Sequence, residues 1–249
     1  MKALITGASS GIGKDIARIL VEKGHEVILV ARRKGKLEKI EKELGNKVSI
    51  IVMDISSTYN CMDLYNKVKK ENIDILINNA GFGLFGEFNT SSIDKELDMI
   101  DLNIKAVHTL TKLFLKDFKK RNSGYILNVA SSAAFIPGPL MATYYATKAY
   151  VLNLTEAIYQ ELKHDKSNVS ISALCPGPVD TEFNKVANVS FGLKSQTSDY
   201  VARYAIKNMF KGKMIIIPGL RIKLGIFGTR FISRKALLKI AYNFQTKKQ

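Results

Sequence analysis

Tyr144 and Lys148 stand four residues apart in the run Tyr144-Tyr145-Ala146-Thr147-Lys148. On a helix that spacing puts both side chains on one face. An ammonium beside a phenol stabilises the phenolate and lowers the phenol pKa towards working pH, as a proton-transfer group requires. Ser131 comes thirteen residues before Tyr144, and a hydroxyl there could donate to a substrate carbonyl oxygen. Taken singly, these residues also read as a packed tyrosine, an exposed lysine and a turn cap. Tyr145 is the rival to Tyr144, but only Tyr144 has a lysine four residues on.

A second group of residues suits a dinucleotide. Thr6-Gly7-Ala8-Ser9-Ser10-Gly11-Ile12-Gly13 follows a short apolar run and opens a helical one. A glycine turn in that place exposes backbone N–H groups and lets a pyrophosphate approach the helix N-terminus. The spacing is Gly-x-x-x-Gly-x-Gly, and a tight turn by itself would also explain it. The next apolar run ends in Arg32 and Arg33, where an acidic residue would bind the 2′-hydroxyl of NAD. Two guanidinium groups suit a 2′-phosphate instead, which favours NADPH over NADH. Asp54 follows the third apolar run and could accept from an adenine amino group. Asn78-Asn79-Ala80-Gly81 follows the fourth, where open parallel sheets line their ligand crevice.

The elements that must position these residues alternate. Strands are expected at 2–6, 27–30, 48–53, 73–77, 125–130, 169–174 and 214–217. Helices are expected at 13–23, 37–44, 59–70, from a cap at 92–94 to about 120, at 143–164 and at 198–210. Near-continuous apolar strands alternating with amphipathic helices imply a parallel sheet covered on both faces. The fold class is α/β: one doubly wound, Rossmann-type, seven-stranded parallel sheet with helices on both faces. Nothing reads as an interdomain linker, so residues 1–249 are expected to form one domain with a basic, apolar extension at 220–249.

Composition narrows the function. Of 249 residues, 46% are apolar and 24% charged, which excludes a disordered chain. Cys61 and Cys175 cannot build a disulfide framework or a zinc site, which favours a reducing, cytoplasmic setting. His25, His108 and His164 lack metal-ligand spacing, so no metal site is expected. No secretory signal is read at the start, and no apolar run approaches the roughly 18 residues of a membrane span. The net charge is +16, and from residue 200 onward there are twelve Lys/Arg and no Asp or Glu. A basic terminus suits an anionic partner, or is simply a solvated surface. Within it, residues 220–242 mix apolar and basic side chains: a membrane-surface helix, a clamp over the cleft or a subunit contact. Packing is the preferred reading, because Gly225 and Gly228 interrupt one clean helix and weaken the membrane alternative. No base-stacking motif points to nucleic acid.

In this order and placement the motifs resemble those of the short-chain dehydrogenase/reductases, over about residues 1–220. The motifs are the glycine turn at 6–13, Asp54, Asn78-Asn79-Ala80-Gly81, Asn103, Ser131, Tyr144 with Lys148, and Pro176-Gly177 with Thr181. The resemblance implies that Tyr144 is the general acid in carbonyl reduction and the base in the reverse reaction. It implies that Lys148 depresses the Tyr144 pKa and binds the nicotinamide ribose, that Ser131 holds the carbonyl oxygen, and that Asn103 holds a water in a proton relay. Gly7, Ser9, Ser10, Gly11, Ile12, Gly13, Arg32, Arg33, Asp54, Asn79, Ala80 and Gly81 would bind the cofactor with Tyr144 and Lys148. Pro176, Gly177, Val179 and Thr181 would meet its nicotinamide end. Residues 182–196 would form a substrate lid made apolar by Phe183, Val186, Val189 and Phe191. A homodimer or homotetramer would pack through helices carrying Val107, Leu110, Phe114, Val151, Leu154 and Ile158. The expected activity is NADPH-dependent reduction of a small-molecule carbonyl, or the reverse alcohol oxidation, with a hydrophobic ketone or acyl substrate. The alternative is a cofactor-binding sensor or scaffold docked through its tail; retention of Ser131, Tyr144 and Lys148 favours the enzyme.

Overall fold

Strand β1 (Lys2–Thr6) alternates its side chains between two cores: Ala3 and Ile5 face one, Leu4 the other. That period of two, with apolar residues on both sides, places the strand at the centre of a sheet covered twice. The computed structural model describes residues 1–187 and 195–246, with only the backbone for Lys185 and Val186. After β1 come α1 (Gly11–Glu22), β2 (Glu26–Ala31), α2 (Lys34–Leu44), β3 (Val48–Val52), α3 (Thr58–Val68) and β4 (Ile73–Asn78). There follow α4 (Ile93–Ile100), a π-helical segment (Asp101–Ala106), α5 (Val107–Arg121), β5 (Gly124–Val129), α6 (Ala142–His164) and β6 (Val169–Leu174). The chain continues through β7 (Val179–Asp180), α7 (Glu182–Val186), β8 (Gln196–Thr197), α8 (Ser198–Met209), β9 (Ile215–Ile216), α9 (Leu220–Gly228) and α10 (Arg234–Gln245).

The main sheet has seven strands in the order β3-β2-β1-β4-β5-β6-β9, every pair parallel. From β1 the chain winds outward through β2 and β3, then returns to lay β4 on the other side of β1. The crevice between β1 and β4 is therefore the switch point where such sheets bind ligands, at the carboxyl ends of the strands. One core holds Ile16, Ile19 and Leu20 of α1 with Val201 and Ala205 of α8. The opposite core holds Leu64 of α3 and Phe114 and Phe118 of α5. The doubly wound, seven-stranded expectation holds, and helix boundaries shift by up to three residues, as where α2 begins at Lys34 instead of 37.

Three features go beyond the periodicity. The long helix after residue 92 carries a π-helical segment in its middle, and Asn103 sits within it. A two-stranded parallel sheet joins β7 to β8, with Val179 opposite Gln196 and Asp180 opposite Thr197; two-residue strands leave no periodic signal. Gly225 lies inside α9 and Gly228 ends it, so only the second glycine interrupts the tail helix. Of the six residues expected for a core or a subunit face, Val107, Leu110, Phe114 and Val151 are buried within this chain. That leaves Leu154 and Ile158 half-buried. The helix content of the tail does not span a membrane: among the described residues no helix is long and apolar enough to cross one.

Candidate active site

The glycine turn is stapled to the end of β4. Thr6 Oγ1 accepts from the backbone N–H groups of Asn79 (3.0 Å) and Ala80 (3.1 Å). In return, Asn79 Nδ2 donates to the carbonyls of Thr6 (3.0 Å) and Gly7 (3.1 Å). The two strand ends lie so close that a Cβ on Gly7 (φ +65°) would sit 2.7 Å from Ala80 Cα. A Cβ on Gly13 would sit 2.5 Å from Asn79 Nδ2. Gly13, expected to bind the cofactor, instead lets the turn pack closely on the end of β4, while Gly7, Ser9, Ser10, Gly11 and Ile12 line the cleft. Ser10 stands at the N-cap of α1, but its side chain caps no backbone N–H, and the first turn has no acidic residue. The positive end of the helix is left to whatever anion enters the cleft.

Arg33 forms the far wall. Its guanidinium donates to Ser9 Oγ (2.7 Å) and Ser10 Oγ (2.9 Å), and pairs with Glu182 Oε2 at 2.6 Å. Lys36, which the sequence pattern does not single out, pairs with the same carboxylate. Lys36 and Arg33 hold Glu182 down to about 2. Arg32 reaches Asp54 Oδ2 at 3.3 Å, and Asp54 Oδ1 accepts from Ser56 N at 3.0 Å. Burial pushes Asp54 up, but the hydrogen bonds from Ser56 and the Arg32 charge together leave it lowered.

The other end of the cleft is built on α6 and the strand end before it. Tyr144 and Lys148 share the buried face of α6, and Lys148 Nζ donates to the Val129 carbonyl at 2.9 Å. The ammonium lies 5.8 Å from the Tyr144 ring centroid. Ser131 caps the short 3₁₀ turn after β5, its Oγ accepting from Ala133 N at 3.1 Å, and its hydroxyl faces the same cleft as the Tyr144 phenol. The electrostatics depart from the simple ion–phenol picture. Burial raises the Tyr144 phenol well above its ordinary value, opposed only by the Ser131 hydroxyl. Burial also lowers Lys148 to about 8. Both charged forms are desolvated here, so Lys148 does not lower the phenol, which keeps its proton well past neutral pH.

Asn103 does not line the cleft. Its carboxamide accepts from Phe82 N (3.1 Å) and donates to Phe82 O (2.9 Å) and Thr147 Oγ1 (3.1 Å). A Cβ on Gly81 would press on Asn103 Oδ1 at 2.8 Å and lie 3.4 Å from Lys148 Nζ. Asn103 thus locks the loop after β4 against α6. Pro176, Gly177, Val179 and Thr181 all border the cleft, as do Arg32, Asp54, Asn79, Ala80 and Gly81. Tyr145 also borders the cleft, but its phenol oxygen is taken up by Gln245 Nε2, which donates to it at 2.7 Å and brings α10 over the cleft. The Phe183 ring packs 5.4 Å from that of Tyr144. Of the other lid residues, Val189 and Phe191 lie outside the described residues, and so does the side chain of Val186. Together these walls enclose about 1120 Å³, roofed by Ile222, Ile226, Leu237 and Ala241 of the tail.

Known proteins share this plan. The family model "short chain dehydrogenase" matches residues 1–190. An uncharacterised oxidoreductase of Staphylococcus epidermidis is 34% identical over 181 residues, covering 72% of this chain and 78% of its own. The very-long-chain 3-oxoacyl-CoA reductase of Anas platyrhynchos is 32% identical over 201 residues, covering 76% of this chain and 63% of its own. Among solved structures, a short-chain dehydrogenase from Sphingobium yanoikuyae in complex with NADPH superposes with a TM-score of 0.83 at 29% identity. That superposition covers 92% of this chain and 93% of the other. The chain belongs to the short-chain dehydrogenase/reductases. It is an NAD(P)-dependent oxidoreductase of that family. The uncapped α1 N-terminus, the Arg33–Lys36 cluster and the length of the cleft fit a dinucleotide running from Arg33 to Tyr144.

Proposed function

We propose that the protein is an NADPH-preferring reductase of apolar carbonyl compounds, ketones or 3-oxoacyl thioesters. One observation carries this reading: a single cleft joins a cationic pocket at Arg33 and Lys36 to the Ser131–Tyr144–Lys148 group beneath an apolar roof. Arg33, Lys36 and the hydroxyls of Ser9 and Ser10 would hold a 2′-phosphate, displacing the Glu182 carboxylate that now pairs with both cations. The NADPH complex of the Sphingobium relative and the acyl substrate named for the Anas relative support the two halves of the proposal.

Pro176, Gly177, Val179 and Thr181, which border the cleft, would hold a reduced nicotinamide, whose chemistry when bound would be hydride donation. The chain does the rest. Ser131 holds the carbonyl oxygen by a hydrogen bond beside the Tyr144 hydroxyl. Tyr144, a phenol that burial keeps protonated even beyond its ordinary range, gives that oxygen its proton. Lys148, held by the Val129 carbonyl 5.8 Å from the Tyr144 ring centroid, would orient the nicotinamide ribose. Asn103 acts through the Phe82 backbone, fixing the loop that borders Lys148. Phe183 and the tail helices shut water away from the phenol, which strengthens each of these contacts.

The test is cofactor consumption with NADPH and NADH against aldehydes, ketones and 3-oxoacyl thioesters of increasing chain length. We expect turnover to favour NADPH and to rise with apolar length. A preference for NADH, or for short polar carbonyls, overturns the corresponding half.

A further inference from the structure

The tail helix α9 has two apolar faces. Ile222, Ile226 and Thr229 point inward and border the cleft, with Ile222 packed on Gly177. On the opposite side Leu224 and Phe227 stand three apart and Phe231 follows four residues on, while Leu220, which also reaches the rim of the cleft, extends the line at the start of the helix. All four are exposed: Leu220 70%, Leu224 59%, Phe227 53% and Phe231 77%. The rings of Phe227 and Phe231 meet edge to face at 5.4 Å, so the ridge is continuous where the helix ends. Half of the large exposed apolar side chains among the described residues fall within 220–246; Leu220, Ile232, Ile240 and Phe244 among them also border the cleft, whereas Leu224, Phe227, Phe231, Leu238 and Tyr242 do not. A patch of that density is a contact surface, since isolated apolar residues are what an ordinary solvated surface shows.

The charge around the ridge identifies the partner. At 100° per residue, Arg221, at the rim of the cleft, flanks the ridge on one side of α9 and Lys223 on the other, and Arg230 follows in the 3₁₀ turn Thr229–Phe231 that ends it. Lys235 and Lys239 follow on the exposed side of α10, with Arg234 at its start. None of these six cations has an ion pair among the described residues, and the chain has no acidic residue after Asp199. The Arg230 guanidinium lies 5.9 Å from the Phe227 ring centroid, beside the ridge. An apolar ridge bordered on both sides by unpaired cations is the pattern of a helix lying in the headgroup boundary of a bilayer. A second copy of this chain would bring the same cations against one another.

We propose that α9 and α10 dock on an anionic phospholipid surface, with Leu224, Phe227 and Phe231 inserted below the headgroups and the flanking Arg and Lys on the phosphates. Since the inner face of α9 roofs the cleft, the docked enzyme takes its carbonyl substrate from the lipid; that step rests on the function proposed above. Vesicle binding needs no turnover, so the two readings fail separately.

The experiment is flotation of the full-length protein with phosphatidylcholine vesicles, with and without phosphatidylglycerol, at low and high salt. A variant carrying Phe227→Ser and Phe231→Ser is run alongside, and its NADPH binding reports that it is folded. A second variant, Lys223→Gln with Arg230→Gln, removes charge and leaves the ridge intact. We expect flotation only with the anionic vesicles, about ten-fold weaker at high salt and in the charge variant, and abolished in the phenylalanine variant. No flotation of the wild type at low salt overturns the proposal, as does flotation that the phenylalanine variant retains. Sedimentation showing a concentration-dependent dimer that the same variant dissociates assigns the ridge to a second copy instead.

Discussion

Gln245 Nε2 donates to the phenol oxygen of Tyr145 at 2.7 Å, tying the last turn of α10 to the helix that carries Tyr144 and Lys148. Gln245 is buried although it lies in the most basic and exposed part of the chain. Gln245→Ala removes that tie and leaves a half-buried phenol oxygen without its donor, at a cost of about 1 kcal/mol. We expect KM for long apolar carbonyls to rise several-fold, with kcat for a short substrate nearly unchanged. Steady-state kinetics across chain length, with a thermal melt, check both effects.

Tyr144→Phe keeps the ring that packs on Phe183 and removes only the hydroxyl. Loss of a general acid costs about 10²–10⁴-fold in turnover, while NADPH binding by fluorescence should persist. Because burial raises the phenol, wild-type reduction should be sustained through neutral pH. Alcohol oxidation, which needs the phenolate, should climb as pH rises into the alkaline range. An oxidation rate flat from neutral to alkaline pH would remove Tyr144 from the base role.

The Glu182 carboxylate and a 2′-phosphate compete for the same cations, so substitutions on the two sides have opposite signs. Arg33→Ala with Lys36→Ala should weaken NADPH about 10- to 100-fold, from the loss of two charge-assisted contacts. NADH should change little. Glu182→Gln removes the competing charge and should tighten NADPH several-fold. Titration calorimetry with both cofactors checks the two directions; equal losses for NADPH and NADH would refute the assignment of this pocket.

Lys148 carries a stability signature separable from catalysis. Its folded-state value, about 8, lies below its unfolded value of 10.5 because burial disfavours the ammonium. Between these values the unfolded chain binds more protons, so stability rises with pH across the window. The penalty is fully present below about pH 8 and gone above about 10.5. Lys148→Met should therefore be inactive yet more stable at pH 7, by about 2 kcal/mol after loss of the Val129 hydrogen bond. Denaturant melts at pH 7 and 10.5 should show that advantage disappearing and then reversing, because at the higher pH only the lost Val129 hydrogen bond remains.

The alternation of elements, the parallel sheet and most of the cleft wall were legible in the chain because their signals are local. Apolar runs such as Val27 to Val30 declare a buried strand. Glycines at 7 and 11 sit between a strand and a helix, and Tyr144 and Lys148 share a helix face by spacing alone. Other features needed the tertiary structure, because they join residues with no periodic relation. The Lys36–Glu182 pair spans 146 positions and the Gln245–Tyr145 bond 100, so neither leaves a mark in the sequence. Asn103 was visible as a motif residue, yet its work on the Phe82 backbone depends on how a π-helical segment turns it. The same holds for the phenol: residue types suggest a lowered pKa beside an ammonium, whereas the depth of burial decides the sign. In the tail, composition alone showed basic and apolar residues mixed. Which of them roof the cleft and which form an exposed ridge was decided by where α9 crosses Gly177, since close packing selects one face of a helix and leaves the other to whatever the protein meets.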